Sequence, residues 1–181
     1  MGSVIAVMAL VASLSALWPL PRVQAAGPAA MATPHVTKQA TAGPYHVVFS
    51  LGPLEKMYTP AQVKRLHPKE GEVMLSGMMA PRSSTKGMLT AHHLEVHIFT
   101  TRGGHVVTTA HVTITLTDLH TKTTTIVPIM TMQGLTSGRA DFHYGNIVML
   151  MTEHYRVDVT INGIPVHFTV AWQEPGTGKG M

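Results

Sequence analysis

The chain has 181 residues, thirteen Lys and Arg against nine Asp and Glu, a formal charge of +4, and no cysteine. Disulfides and thiolate metal sites are therefore excluded, and packing must hold the core. The basic residues are scattered rather than clustered, which argues against a nucleic-acid partner.

In chain order, residues 4–18 are almost wholly apolar, interrupted only by small serines. Pro19 and Pro21 break the run, and Val23-Gln24-Ala25 resembles a small-residue cleavage site. A membrane-spanning helix needs about 20 apolar residues, so residues 1–25 read as a secretory signal peptide. No Lys or Arg precedes Val4, a departure from the usual signal pattern. Residues 26–43 are rich in Ala, Pro and Thr and read as a flexible leader. A β-domain is predicted over residues 44–172, with a disordered tail at 173–181.

Tyr45, Val47, Phe49 and Leu51 alternate as a half-buried strand does. Thr59 and Pro60 predict a short helix up to His67, with Thr59 as N-cap and Pro60 in the first turn. Residues 72–75 read as a short strand and 76–89 as a loop. Leu94, Val96 and Ile98 mark the next strand, Val112, Ile114 and Leu116 another. A strand is predicted over residues 125–130, with Pro128 placing it at an edge or a bulge. Residues 133–145 read as a loop carrying His143, followed by an apolar strand to residue 151. Tyr155, Val157, Val159 and Ile161 alternate up to Asn162-Gly163, a strong hairpin signal, and Val166, Phe168 and Val170 return. Seven to nine short strands with one short helix define an all-β antiparallel sandwich.

Twelve histidines and thirteen methionines stand out in so weakly charged a chain. Imidazole suits copper, zinc, iron and nickel, and thioether sulfur leans toward Cu(I). If Leu94, Val96 and Ile98 face the core, His93, Glu95 and His97 share the opposite face, with neighbours about 7 Å apart. Their side chains then have one ion within reach. The plainer reading is a solvated polar face. Met130 and Met132 also share a face and would favour copper, although methionine commonly fills core gaps. His143 lies between two aromatics just before Gly145. Asp118, Asp141, Glu153 and Asp158 read as turn or outer-face residues. None of the common hydrolase, zincin or nucleotide-binding motifs occurs, so no enzymatic activity is expected.

At these residues the chain resembles the small periplasmic iron-transport proteins that carry a metal site on an immunoglobulin-like sandwich. The matching stretches are His93-Leu94-Glu95, Pro128-Ile129-Met130 and His143-Tyr144-Gly145, in that order. The resemblance covers just under half of the chain. It implies Glu95, Met130 and His143 as ligands to copper or iron, a role in Fe(II) uptake with a membrane permease, and a homodimer. The longer spacing to His143 makes Met132 an alternative to Met130. The family's fourth ligand is a histidine in an insertion that Asn162-Gly163 replaces here. The fourth position is left to His93, His97, a loop methionine, water or a second subunit.

The chain is thus expected to be a periplasmic protein that captures copper or ferrous iron. The alternative is an interaction module of the cell envelope that binds a partner by strand addition. Separation of Glu95, Met130 or Met132, and His143 by more than about 8 Å would favour the module, since metal–ligand bonds reach only ~2 Å.

Overall fold

A computed structural model describes residues 35–80 and 89–173. Eleven strands occur among them: β1 (Val36–Ala42), β2 (Tyr45–Pro53), β3 (Met57–Tyr58), β4 (Glu72–Ser76), β5 (Thr90–Thr100), β6 (Val112–Asp118), β7 (Thr124–Val127), β8 (Met130–Gly134), β9 (His143–Leu150), β10 (Glu153–Ile161) and β11 (Ile164–Trp172). One helix, α1 (Pro60–Leu66), follows β3, and a 3-10 turn at Gly138–Asp141 precedes β9. No helix among the described residues is long and apolar enough to cross a membrane.

The strands form two sheets. The larger runs β1-β2-β5-β9-β8-β4-β3 and the smaller β11-β10-β6-β7. All pairings are antiparallel except the short β3–β4 contact. Alternation sends Phe49, Leu94, Val96 and Ile98 of the larger sheet and Ile114, Val157, Val159 and Phe168 of the smaller into one shared core. The rings of Phe49 and Phe168 stack across it with centroids 5.4 Å apart.

Local chemistry sets the connections. The Thr59 hydroxyl accepts from the Gln62 backbone N–H at 3.2 Å, and the Gln62 side chain accepts from the Thr59 N–H at 2.7 Å. This reciprocal box starts α1. Asn162 and Gly163 both have positive φ, 50° and 85°, as the tight β10–β11 hairpin requires.

Four expectations need correction. Residues 36–42 are not a leader but an edge strand. β1 shows no apolar alternation because it is mostly exposed, with only Ala42 buried, and backbone pairing to β2 holds it. The predicted strand over residues 125–130 is two strands in different sheets. Pro128 lacks an N–H for the ladder, and the chain crosses there from β7 in the smaller sheet to β8 in the larger. His143 is not a loop residue; it opens β9. The strand count exceeds seven to nine because β1 and the two-residue β3 carry no alternation to read. The signal peptide at residues 1–25 and the tail beyond residue 173 lie outside the described residues.

Buried Asn146 ties the crossing together. Its side-chain oxygen accepts from the N–H of Ala80 and of Ile147, each at 2.8 Å. Its amide donates to the carbonyls of Met78 and Pro128 at 3.0 and 2.9 Å. All four bonding capacities of the amide are used.

Candidate metal centre

Since Leu94, Val96 and Ile98 face the core, His93, Glu95 and His97 stand on the other face of the larger sheet. β9 lies beside β5 and sets Gly145 opposite Glu95 and Ile147 opposite His93. β8 lies beyond it and sets Met130 opposite Gly145 and Met132 opposite His143. Partners across a ladder point to the same side. His93, Glu95, His97, Met130, Met132 and His143 therefore share one face. Both methionines are fully buried yet stand apart from the inter-sheet core cluster, so they do not fill that core.

Gly145 is what permits so close an approach. A Cβ at this position would meet the Leu94 carbonyl oxygen at 1.9 Å, so only glycine fits between β5 and β8 in this row. His92, by contrast, turns to the core side, where its ring lies edge-on to Trp172 at 4.4 Å.

β4 contributes a carboxylate that the sequence reading overlooked. It is two strands removed from β9, and Glu72 reaches back to the histidines. Glu72 Oε2 lies 3.2 Å from His143 Nε2 and 3.6 Å from His93 Nε2. Ligand atoms of Glu72, His93, Glu95 and His143 all lie within 4.8 Å of one another. The only signal for Glu72 was a lone carboxylate heading the short apolar stretch Val73-Met74-Leu75. Asp141 was the second omission. It does occupy a turn, but that turn folds back on the site: its Oδ1 lies 3.8 Å from His97 Nδ1. Gly134 makes room, since a Cβ there would meet Asp141 Oδ2 at 2.5 Å.

The polar contacts within the cluster are specific. The two oxygens of Glu95 divide between two histidines: Oε1 lies 3.2 Å from His93 Nδ1 and Oε2 3.1 Å from His97 Nε2. His143 Nδ1–H donates to the Asp141 carbonyl at 2.9 Å, which orients its Nε2 at Glu72. Burial would lower the His143 pKa, but the Glu72 hydrogen bond and the charges of Glu72 and Glu95 hold it above the ordinary histidine value. Burial would raise the Glu95 pKa, but the close approach of His93 and the hydrogen bond to His97 prevail and hold it well below the usual carboxylate range. Glu55, nearby, is pushed up by burial and by the charges of Glu72 and Glu95.

His93 is the exception to this satisfaction. It is completely buried, and neither ring nitrogen makes a hydrogen bond. Both nitrogens lie near carboxylate oxygens without the geometry to donate to them. A neutral ring there aims at least one lone pair toward a carboxylate. That is unfavourable in a buried site, and a cation lying between them relieves it.

A cleft of about 510 Å³ leads to the cluster, with Glu55, Glu70, Glu72, Glu95 and Asp141 on its walls. A slightly larger hollow, about 580 Å³, is lined mainly by apolar groups such as Leu116, Val127 and Tyr155, with Asp118 the one charged side chain among the described residues. It has none of the chemistry found around His93. Ligand atoms of His143 and Glu95 lie within 4.8 Å of one another, inside the 8 Å limit set above; Met132 is paired with His143, and Met130 with Gly145.

No protein-family model matches the chain, and no curated protein matches it. Among solved structures it is similar to FetP of uropathogenic E. coli strain F11, crystallised as isolated after expression in the periplasm of E. coli BL21(DE3). The identity is 14% and the TM-score 0.48, over 78% of this chain and 97% of FetP. That likeness is too slight to transfer a role or a residue.

Proposed function

We propose that this chain is an exported carrier that captures a copper or ferrous ion, rather than a catalyst. The single observation carrying the reading is buried His93, both of whose nitrogens face carboxylates without hydrogen bonding. Glu72, His93, Glu95 and His143 would be the ligands, with Met130 and Met132 flanking them.

Three further features support it. His143 donates its Nδ1–H to a backbone carbonyl, the arrangement that orients the other nitrogen of a metal-bound histidine. Two imidazoles with two carboxylates suit divalent iron or copper, and thioethers alongside add affinity for reduced copper. The cleft gives an ion a way in. The resemblance noted from the sequence motifs agrees with a periplasmic site and implies a membrane permease as recipient and a homodimer as the working form.

Titration of the purified protein with Cu(II) and, anaerobically, with Fe(II) tests the reading. One ion should bind tightly per chain. His93→Ala should weaken binding at least about a hundredfold, since losing even the hydrogen-bond partner of a ligand costs about 10–100-fold. Equal affinity in the two proteins would overturn the assignment.

A further inference from the structure

The metal cluster has an outer part that the four-ligand site does not use. His97 lies between the two: its Nε2 meets Glu95 Oε2 at 3.1 Å and its Nδ1 faces Asp141 Oδ1 at 3.8 Å. Ligand atoms of His97, Asp141 and His143 fall within 4.8 Å of one another. Exposure is graded along this line, from 38% for the Asp141 side chain through 13% for His97 to 1% for His93. Glu95 joins the two parts, with one oxygen toward His93 inside and the other toward His97 outside.

Resting on the carrier reading, we propose that His97 and Asp141 form an outer holding position, from which the ion passes across Glu95 to the inner site. A hydrated cation cannot shed its water in one step without a large cost. A partly exposed carboxylate and a mostly buried imidazole beside it replace part of the shell first. Glu95 then takes the ion on one oxygen and delivers it with the other, so no ligand has to travel far. His143 Nδ1 is engaged by the Asp141 carbonyl, which leaves His97 Nδ1 and the Asp141 carboxylate as the outer ligands.

Charge supplies the approach. The chain carries +4 overall, which repels a cation at a distance. Yet five of its nine carboxylates, Glu55, Glu70, Glu72, Glu95 and Asp141, line this one cleft against one lysine, Lys69. Such a concentration focuses the local field and speeds capture of a cation. Glu70 is paired with Lys56 at the rim, while Asp141, its side chain 38% exposed, comes within 3.8 Å of His97.

Stopped-flow loading of the protein with Co(II), followed by absorbance, separates this role from ligation at the inner site. Asp141→Asn keeps the shape of the side chain and the backbone carbonyl that orients His143. Its equilibrium affinity should stay within about threefold of the parent, while loading and release both slow about tenfold and loading loses much of its ionic-strength dependence. His97→Gln should slow both rates in the same way. Unchanged rates in both variants overturn the proposal, and so does weaker affinity with unchanged loading, which would make Asp141 a support of the inner site alone. Failure of the parent to take up Co(II), Cu(II) and Fe(II) alike removes the carrier reading with it. A His93→Ala protein that loads as tightly as the parent would do the same.

Discussion

At the scale of single residues, protons and a metal compete for the same atoms. His143 has its pKa raised, chiefly by Glu72 against the effect of burial. A raised histidine pKa stabilises the metal-free fold fully below the ordinary value of about 6.5, and that contribution is lost as pH rises through the higher folded value. Glu95 behaves oppositely. Its lowered pKa stabilises the fold above the ordinary carboxylate range, and the gain is lost only as pH falls through the depressed value. A metal ion must displace the proton from His143 Nε2. Affinity for Cu(II) should therefore keep rising with pH beyond about 6.5, in a competition titration between pH 5.5 and 8.5. Glu72→Gln removes the charge that holds that proton. The His143 titration followed by NMR should then move to lower pH, and an unmoved midpoint would show that Glu72 does not govern it.

At the scale of elements, the strand alternation was legible and the sheet order was not. His93, Glu95 and His97 could be placed on one face because Leu94, Val96 and Ile98 define the other. The helix cap at Thr59 and the turn at Asn162-Gly163 are short-range chemistry and were readable for the same reason. Glu72 was invisible because its partners lie 21 and 71 positions away, and only the order β5-β9-β8-β4 brings them near it. Asp141 was placed in a turn, but nothing local says which way a turn folds. Gly145 stood in the sequence only as the neighbour of His143; its work is to let β5 and β9 approach. Gly145→Ala should destabilise the protein by about 1–3 kcal/mol, the usual cost of overpacking, because a Cβ there would meet the Leu94 carbonyl at 1.9 Å. Metal affinity should fall too, since Glu95 and His143 ride on the two strands being pushed apart. Thermal unfolding and metal titration of the same preparation check both. A stable variant with intact affinity would mean that the strands shift without disturbing the site.

At the scale of the molecule, the apolar core and the polar cluster occupy opposite faces of the larger sheet. Phe49, Leu94, Val96 and Ile98 pack against the smaller sheet, while Glu72, His93, Glu95 and His143 gather on the other side. Packing that does not pass through the cluster can hold the fold without a bound ion, unlike a small domain whose folding energy is its metal. The protein stripped with chelator should keep its β-sheet circular dichroism. The ion then acts by mass action on a fold that already exists. At a free concentration a hundred times the dissociation constant, it adds about 2.7 kcal/mol. For a domain of this size each kcal/mol moves the melting temperature by about 2–4 °C, so saturating Cu(II) should raise the midpoint by roughly 5–10 °C and chelator should reverse it. His93→Ala, binding about a hundredfold more weakly, should gain no more than about 2 °C from the same ion. If instead the variant gains the same increment as the parent, the stabilising ion sits among the surface histidines, and the buried cluster is not where it binds.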